Sequence, residues 1–137
     1  MKGPAINMNK KKIVVVEDDP LNMELVTDLL EVAGFAVLQA ETAGDGIELA
    51  RSEEPVLILM DVRLPDIDGL TATGILKKDP LTMHIPVVAL TASVMPGDEA
   101  RSMAAGCAGY IRKPIDTRAF PGTVKTFITG REPSCVA

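Results

Sequence analysis

The chain has 137 residues, of which 47% are hydrophobic and 24% are charged, and its formal net charge is -5. This length fits one domain that buries its own core, and the acidic balance disfavours nonspecific binding to nucleic acid or to anionic lipid. Uninterrupted apolar runs reach at most six residues, whereas a membrane-spanning helix requires about 20.

Targeting and redox signals are sparse. The first residues hold no apolar signal-peptide core, so we expect a cytoplasmic protein without a membrane segment. Cys107 and Cys135 lie far apart in sequence and form no C-x-x-C pair, so we interpret both as inert thiols. The short basic cluster at residues 10–12 is interpreted as a solvated flank rather than a nucleic-acid site.

Apolar runs alternate with helix-like segments along the chain, which is typical of a parallel sheet covered by helices on both faces. The sequence predicts five strands, at residues 12–17, 35–40, 56–61, 86–91 and 108–112. Five helices are predicted between and after them. Residues 1–10 and 130–137 are predicted to be flexible, which leaves residues 11–129 as one doubly wound α/β domain.

The first helix is predicted between residues 19 and 34. Asp19 can cap it, Pro20 suits its first turn, and Gly34 can end it in a left-handed conformation. Its buried stripe is predicted at positions spaced by four and three, Leu25, Leu29 and Val32.

The second helix is predicted after Thr42, whose hydroxyl can reach the amide of Asp45. It is expected to direct Ile47, Leu49 and Ala50 toward the sheet. The third helix is predicted at residues 69–78, where poor helix formers make packing the main stabilising force.

The fourth helix is predicted from Pro96 to Gly106, and the fifth begins from a cap at Asp116. Pro121 lies inside the fifth segment, where it would remove a hydrogen bond and crowd the preceding turn. We therefore expect this helix to start late or to kink.

Acidic groups follow two of the strands, and a lysine follows a third. Glu17, Asp18 and Asp19 come after the first strand, Asp61 ends the third, and Lys113 comes after the fifth. Parallel strands end at one edge of the sheet, where ligands bind in the crevice at which strand order reverses. Crowded carboxylates repel one another unless a cation neutralises them, so this edge predicts divalent metal binding and phosphoryl chemistry.

Simpler roles compete for several of these residues. Asp19 is interpreted as a helix cap rather than a ligand, and Asp66 and Asp68 as turn residues. Thr91 and Tyr110, taken alone, suit a strand end and a half-buried core position. His84, the sole histidine, precedes the fourth strand, and we interpret it as a surface residue.

Residues 21–23, 85–92 and 106–107 resemble the DivK-like single-domain branch of the receiver domains of two-component response regulators. Five motifs resemble the receiver domain itself in order and spacing. They occupy residues 13–20, 60–65, 68–69, 90–92 and 110–114. The resemblance spans residues 11–129 and implies a flavodoxin-like sheet of strand order 2-1-3-4-5.

The resemblance also implies roles for the residues at the acidic edge. Asp61 would be the phosphoacceptor nucleophile. Asp18 and Asp61 would bind Mg²⁺ together with the backbone carbonyl of Arg63, and Glu17 would act through water. Lys113 would neutralise charge on the phosphoryl oxygens.

Two further positions would form the switch of such a domain. Thr91 would turn toward the phosphoryl group, and Tyr110 would move inward behind it. The resemblance further implies a cis bond between Lys113 and Pro114.

The function implied is that of a single-domain response regulator, not an enzyme. It would receive its phosphoryl group from a histidine kinase or a histidine phosphotransfer protein and bind a downstream protein. We expect a monomer or a weak, phosphorylation-dependent homodimer. The expected partner surface comprises the fourth helix, fifth strand and fifth helix, including Met95, Met103, Tyr110 and Phe120.

Two alternatives are weighed against this function. A phosphohydrolase of the haloacid dehalogenase type would carry an acid two residues after the nucleophile, where this chain has Arg63. A phosphorylation-independent binding module would not require the complete set of acids with Thr91 and Lys113.

Overall fold

A computed structural model describes residues 10–92 and 97–129, apart from the side chains of residues 98 and 99. In these ranges five parallel strands form one sheet in the order β2-β1-β3-β4-β5. The chain forms, in order, β1 Lys12–Val16, α1 Pro20–Val32, β2 Ala36–Ala40, α2 Ala43–Glu53, β3 Leu57–Asp61, α3 Gly69–Lys78, β4 Val87–Thr91, α4 Asp98–Ala105, β5 Gly109–Arg112 and α5 Phe120–Thr129.

This architecture confirms the predicted fold class and strand order, and every strand lies within one residue of its predicted bounds. The predicted flexible ends lie outside the described residues, except for Lys10. Within the described ranges, no helix combines the length and hydrophobicity that a bilayer crossing requires.

The sheet separates two apolar layers because successive side chains of a strand point to opposite faces. In β1, Ile13 and Val15 pack with buried residues of α1 and α5. Val14 and Val16 pack on the opposite face with buried residues of α2 and α3. Covering both faces buries the central strands completely, which explains their uninterrupted apolar sequences.

Helix α1 begins and ends as predicted, but its predicted buried stripe is wrong. The buried residues are Met23, Val26 and Leu30, whereas Val32 is 89% exposed. Each helical residue turns by about 100°, so Val32 lies about 200° around the helix from Leu30. The inner row therefore begins at Met23, and Leu25 and Leu29 lie half-buried on its flank.

Helices α2 and α3 agree with the predictions. The Thr42 hydroxyl accepts a hydrogen bond from the Asp45 amide at 3.1 Å. Ala50 is buried, and the half-buried Ile47 and Leu49 pack against the core on that face. Helix α3 occupies residues 69–78 as predicted.

Helix α4 ends as predicted at Gly106, which adopts φ 108°. It begins at Asp98, and the predicted start at Pro96 lies outside the described residues. Helix α5 shows the expected late start: the Asp116 carboxylate accepts bonds from the amides of residues 118 and 119, and the helix begins at Phe120. Pro121 thus falls in the first turn, where it is tolerated.

The prediction that Phe120 belongs to the partner surface is wrong, because its side chain is only 2% exposed and packs in the core with Val124. The two residues are one helical turn apart and form the inner side of α5. Met103 is 50% exposed, and Met95 lies outside the described residues.

The close approach of Gly69 to β3 gives a test of the packing beneath the acidic edge. A Cβ at Gly69 would overlap the carbonyl oxygen of Asp61, whereas a Cβ at Gly74 would meet no atom within 4 Å. We expect Gly69→Ala to lower the free energy of unfolding by about 1 to 3 kcal/mol. Gly74→Ala in the same helix should raise it by about 1 kcal/mol. Urea denaturation measures both, and equal effects of the two substitutions would contradict this packing.

Candidate functional site

The carboxyl ends of β1 and β3 bring three carboxylates together. Glu17 follows β1 and donates its amide to the Ala40 carbonyl at 2.9 Å, while Asp61 is the last residue of β3. Glu17, Asp18 and Asp61 each offer a carboxylate oxygen, and these oxygens all lie within 4.8 Å of one another. Glu17 and Asp61 are buried, whereas Asp18 is exposed.

Lys113 provides the positive charge nearest to this cluster. Its Nζ lies 2.8 Å from Glu17 Oε1 and 3.3 Å from Asp61 Oδ2. Its amide donates to the Thr91 carbonyl at 2.8 Å, which extends the pairing of β5 with β4 and fixes the backbone there. The Lys113–Pro114 bond is cis, as the resemblance implied. Burial lowers the pKa of Lys113, but its contacts with Glu17 and Asp61 outweigh burial and raise the pKa above its ordinary value.

The surroundings of Asp61 raise the pKa of its carboxyl group. Burial, followed by the hydrogen bond and charge of Glu17, raises the pKa of Asp61 from 3.8 to about 6. Lys113 and the Arg63 amide, which donates to Asp61 Oδ1 at 3.3 Å, only partly oppose this rise. The surroundings therefore disfavour the anionic form of Asp61, and additional positive charge nearby would stabilise it.

The donor set fits a hard divalent cation such as Mg²⁺, which prefers carboxylate, carbonyl and water oxygens. The three carboxylates lie around the Lys113 ammonium. Among the described residues, Glu17 Oε1 is a buried side-chain oxygen that accepts no hydrogen bond. Its partner is the Lys113 ammonium, 2.8 Å away in an ion pair. The three clustered carboxylates therefore fit a cation at this edge of the sheet.

A cleft with a volume of about 460 Å³ opens above the carboxylates. Thr91, the last residue of β4, lines it and is 8% exposed. Arg63 also lines the cleft, while Tyr110 is half-buried against the core below. Arg101 and Ser102 of α4 line the cleft too. No sequence signal marked these two, because only the packing of α4 brings them to the site.

The simpler roles have mixed outcomes. The Asp19 cap is confirmed, since its Oδ1 accepts the Leu21 amide at 3.0 Å. His84 is exposed and precedes β4, at the end of the sheet away from the acids. Asp66 lies in a bend, as the turn interpretation predicts, but its carboxylate also accepts bonds from the first turn of α2, which the sequence did not indicate.

Cys107 is buried. Burial raises the pKa of its thiol, which keeps the thiol protonated and unreactive at neutral pH. Cys135 lies outside the described residues.

Comparison with known families places this fold and cleft in a class of signalling domains. A model of the response regulator receiver domain matches residues 13–125, so the chain belongs to the response regulator receiver domain family. This match confirms the resemblance carried by the five sequence motifs.

Relatives agree with this family. The polar-differentiation response regulator DivK of Brucella ovis is 43% identical over 118 residues, covering 86% of this chain and 96% of that protein. DivK of Brucella anthropi shows the same identity and coverage. The chain therefore spans nearly the whole length of these DivK relatives.

Solved structures show the same fold. A CheY-like receiver domain protein from Methanospirillum hungatei has a TM-score of 0.81 at 28% identity, covering 88% of this chain and 95% of that chain. The receiver domain of a Pseudomonas aeruginosa sensor histidine kinase, which has a magnesium ion coordinated in its active-site cleft, has the same TM-score and identity. The match covers 88% of this chain and 98% of that receiver domain's chain.

The raised pKa of Asp61 makes stability depend on pH. Because the pKa is about 6 in the fold and 3.8 as the ordinary value, the protonated carboxyl favours the fold below pH 4, and this contribution is lost as the pH rises through 6. Asp61→Asn, which stays neutral, should raise the free energy of unfolding of the metal-free protein at pH 7.5 by about 1 to 3 kcal/mol. Chemical denaturation at pH 7.5 and pH 4 measures the difference. A gain of equal size at both pH values would contradict the electrostatic cause.

Proposed function

We propose that this receiver domain accepts a phosphoryl group on Asp61 from a histidine kinase or a histidine phosphotransfer protein. It then signals by phosphorylation-dependent binding to a downstream protein in a phosphorelay. The main support is the geometry at Asp61: its buried carboxylate faces an open cleft, with the Lys113 ammonium 3.3 Å away. Receiver domains as a family interact with histidine kinases and downstream targets, which supports both proposed classes of partner.

In the proposed transfer, a carboxylate oxygen of Asp61 forms a bond to phosphorus. The bond between phosphorus and the donor's histidine nitrogen breaks, and its electron pair remains on that nitrogen. Lys113 neutralises negative charge on the phosphoryl oxygens, and the Arg63 amide holds Asp61 Oδ1 through the bond at 3.3 Å. The product is a covalent mark on the protein itself, so we propose a signalling phosphoacceptor and not an enzyme with free substrates.

The proposed cofactor is Mg²⁺. Asp18, Asp61 and the backbone carbonyl of Arg63 would bind it directly, and Glu17 would contact it through water, which fits an ion that keeps several of its waters. When bound, Mg²⁺ would supply positive charge to the transferring phosphoryl oxygens. The three clustered carboxylates and the magnesium site of the Pseudomonas aeruginosa relative support this role.

The proposed switch consists of Thr91 and Tyr110. Thr91 ends β4 at the cleft, and its hydroxyl would bond to the phosphoryl group. Tyr110 on the neighbouring β5 is half-buried and would move inward behind Thr91. Such a displacement changes the surface of α4, β5 and α5, where Met103 is exposed, and we propose this face as the partner surface.

The proposed setting follows from the donor. Histidine kinases draw their phosphoryl group from ATP, so the proposal places this protein in the cytoplasm, with its donor. It includes a monomer, or a weak homodimer that forms on phosphorylation. The domain organisation proposed is one receiver domain at residues 11–129.

The proposal is tested by incubating the protein with phosphoramidate and Mg²⁺, since phosphoramidate carries the same phosphorus–nitrogen bond as phosphohistidine. Intact mass spectrometry should show the gain of one phosphoryl group. Hydroxylamine should remove it, because an acyl phosphate reacts with that nucleophile. Omission of Mg²⁺ should greatly slow the gain, because the negative charges around Asp61 then repel the donor.

Two variants locate the acceptor. Asp61→Asn should gain no phosphoryl group, whereas His84→Ala, which removes the sole histidine, should gain it as the wild type does. Phosphorylation of the Asp61 variant, or its loss in the His84 variant, would refute the proposed acceptor.

A further inference from the structure

Asp66 links the segment between β3 and α3 to a distant helix. Its Oδ1 accepts the Ala43 amide at 2.9 Å, and its Oδ2 accepts the Gly44 amide at 2.9 Å. Both amides belong to the first turn of α2, more than 20 residues earlier in the chain. These bonds lower the pKa of Asp66 below its ordinary value, so the carboxylate stays ionised and keeps both acceptors at neutral pH.

The contact completes the N-terminus of α2. The first amides of a helix have no partner within the helix. Thr42 satisfies the Asp45 amide, and Asp66 satisfies the two before it. The Gly46 amide makes the first bond within the helix, to the Thr42 carbonyl. Asp66 thus accepts hydrogen bonds from two amides at the start of α2 that are too early in the helix to bond within it.

Helix α2, which receives this contact, is itself fixed by close packing on β1 and by an ion pair. Gly46 packs so closely on β1 that an added Cβ would lie 2.5 Å from a methyl carbon of Val16. At its other end, Arg51 pairs with Asp79 at 3.0 Å. Because β1 leads directly into Glu17 and Asp18, a segment attached to α2 is attached to the strand that carries these acids.

The segment held by Asp66, residues 62–68, begins directly after Asp61. The Gly69 amide bonds to the Val62 carbonyl at 2.8 Å, which joins its two ends. Leu64 and Ile67 pack against the core. Near its start, the Arg63 amide donates to Asp61 Oδ1. Asp66 is the charged side chain that fixes the middle of this segment to α2.

We propose that Asp66 is a positioning residue of the Asp61 site. By binding both amides of α2, it sets residues 62–68 against β1, so that the Arg63 backbone and the Glu17 and Asp18 carboxylates share one fixed frame around Asp61. This inference rests on the proposed function, in which the Arg63 carbonyl and these acids hold Mg²⁺. The Asp66 carboxylate itself touches neither the cation nor the phosphoryl group.

The experiment measures the Mg²⁺ dissociation constant by isothermal titration calorimetry in Asp66→Ala and in the nearly isosteric Asp66→Asn. Two controls are matched to them. Thr42→Ala removes the cap bond to the Asp45 amide at the same helix end, and Asp45→Asn removes one negative charge from the same turn. Removing partners that orient metal ligands weakens affinity by 10- to 100-fold in other sites, so we expect about a 10-fold loss for Asp66→Ala.

Asp66→Asn should show a smaller loss, because an amide keeps one acceptor oxygen. Both controls should bind Mg²⁺ as the wild type does, and phosphorylation of Asp66→Ala should recover at high Mg²⁺ concentration. Wild-type Mg²⁺ affinity in both Asp66 variants, or equal weakening in the controls, would overturn the positioning role. If the wild type binds Mg²⁺ but gains no phosphoryl group, the proposed function fails, while the affinities still decide the role of Asp66.

Discussion

The contact of one lysine with two buried carboxylates is the constraint around which the rest of the molecule is arranged. Charges removed from water are costly unless partners of opposite sign compensate them. Lys113 lies within 3.3 Å of both Glu17 and Asp61, yet one ammonium does not balance two anions and the adjacent Asp18. Burial first, and then the neighbouring Glu17, raise the pKa of Asp61, and Lys113 only partly opposes this rise. Such a cleft fits the divalent cation that we propose for it.

The sheet makes this arrangement possible because three different strands each deliver one part of it. Strands β1, β3 and β5 end at the same edge, and β4 places Thr91 between the last two. The two apolar layers fix these strands from both sides, so the charged groups do not relax apart. The packing of the core thus keeps the acidic side chains close together at this edge of the sheet, where their mutual repulsion is unfavourable without a cation.

The fold and most of this site were predictable from sequence because the signals are local. Apolar runs ending in Glu17, Asp61 or Lys113 combine a strand with its functional terminus. The predictions that failed depend on contacts outside the local pattern. The inner row of α1 starts at Met23 rather than Leu25, and spacing alone does not fix that phase.

Two other differences between the predictions and the structure have the same origin. Phe120 is buried because α5 starts late and turns this side chain inward. Asp66 reaches amides more than 20 residues away, so its sequence neighbours indicate only a turn.

The most direct measurement of the central claim is the titration of the Asp61 side-chain carboxyl carbon by NMR in the metal-free protein. The account predicts a midpoint near pH 6 that falls when Mg²⁺ is added. A midpoint at or below pH 4 without Mg²⁺ would show that Lys113 already satisfies the site and would contradict the account.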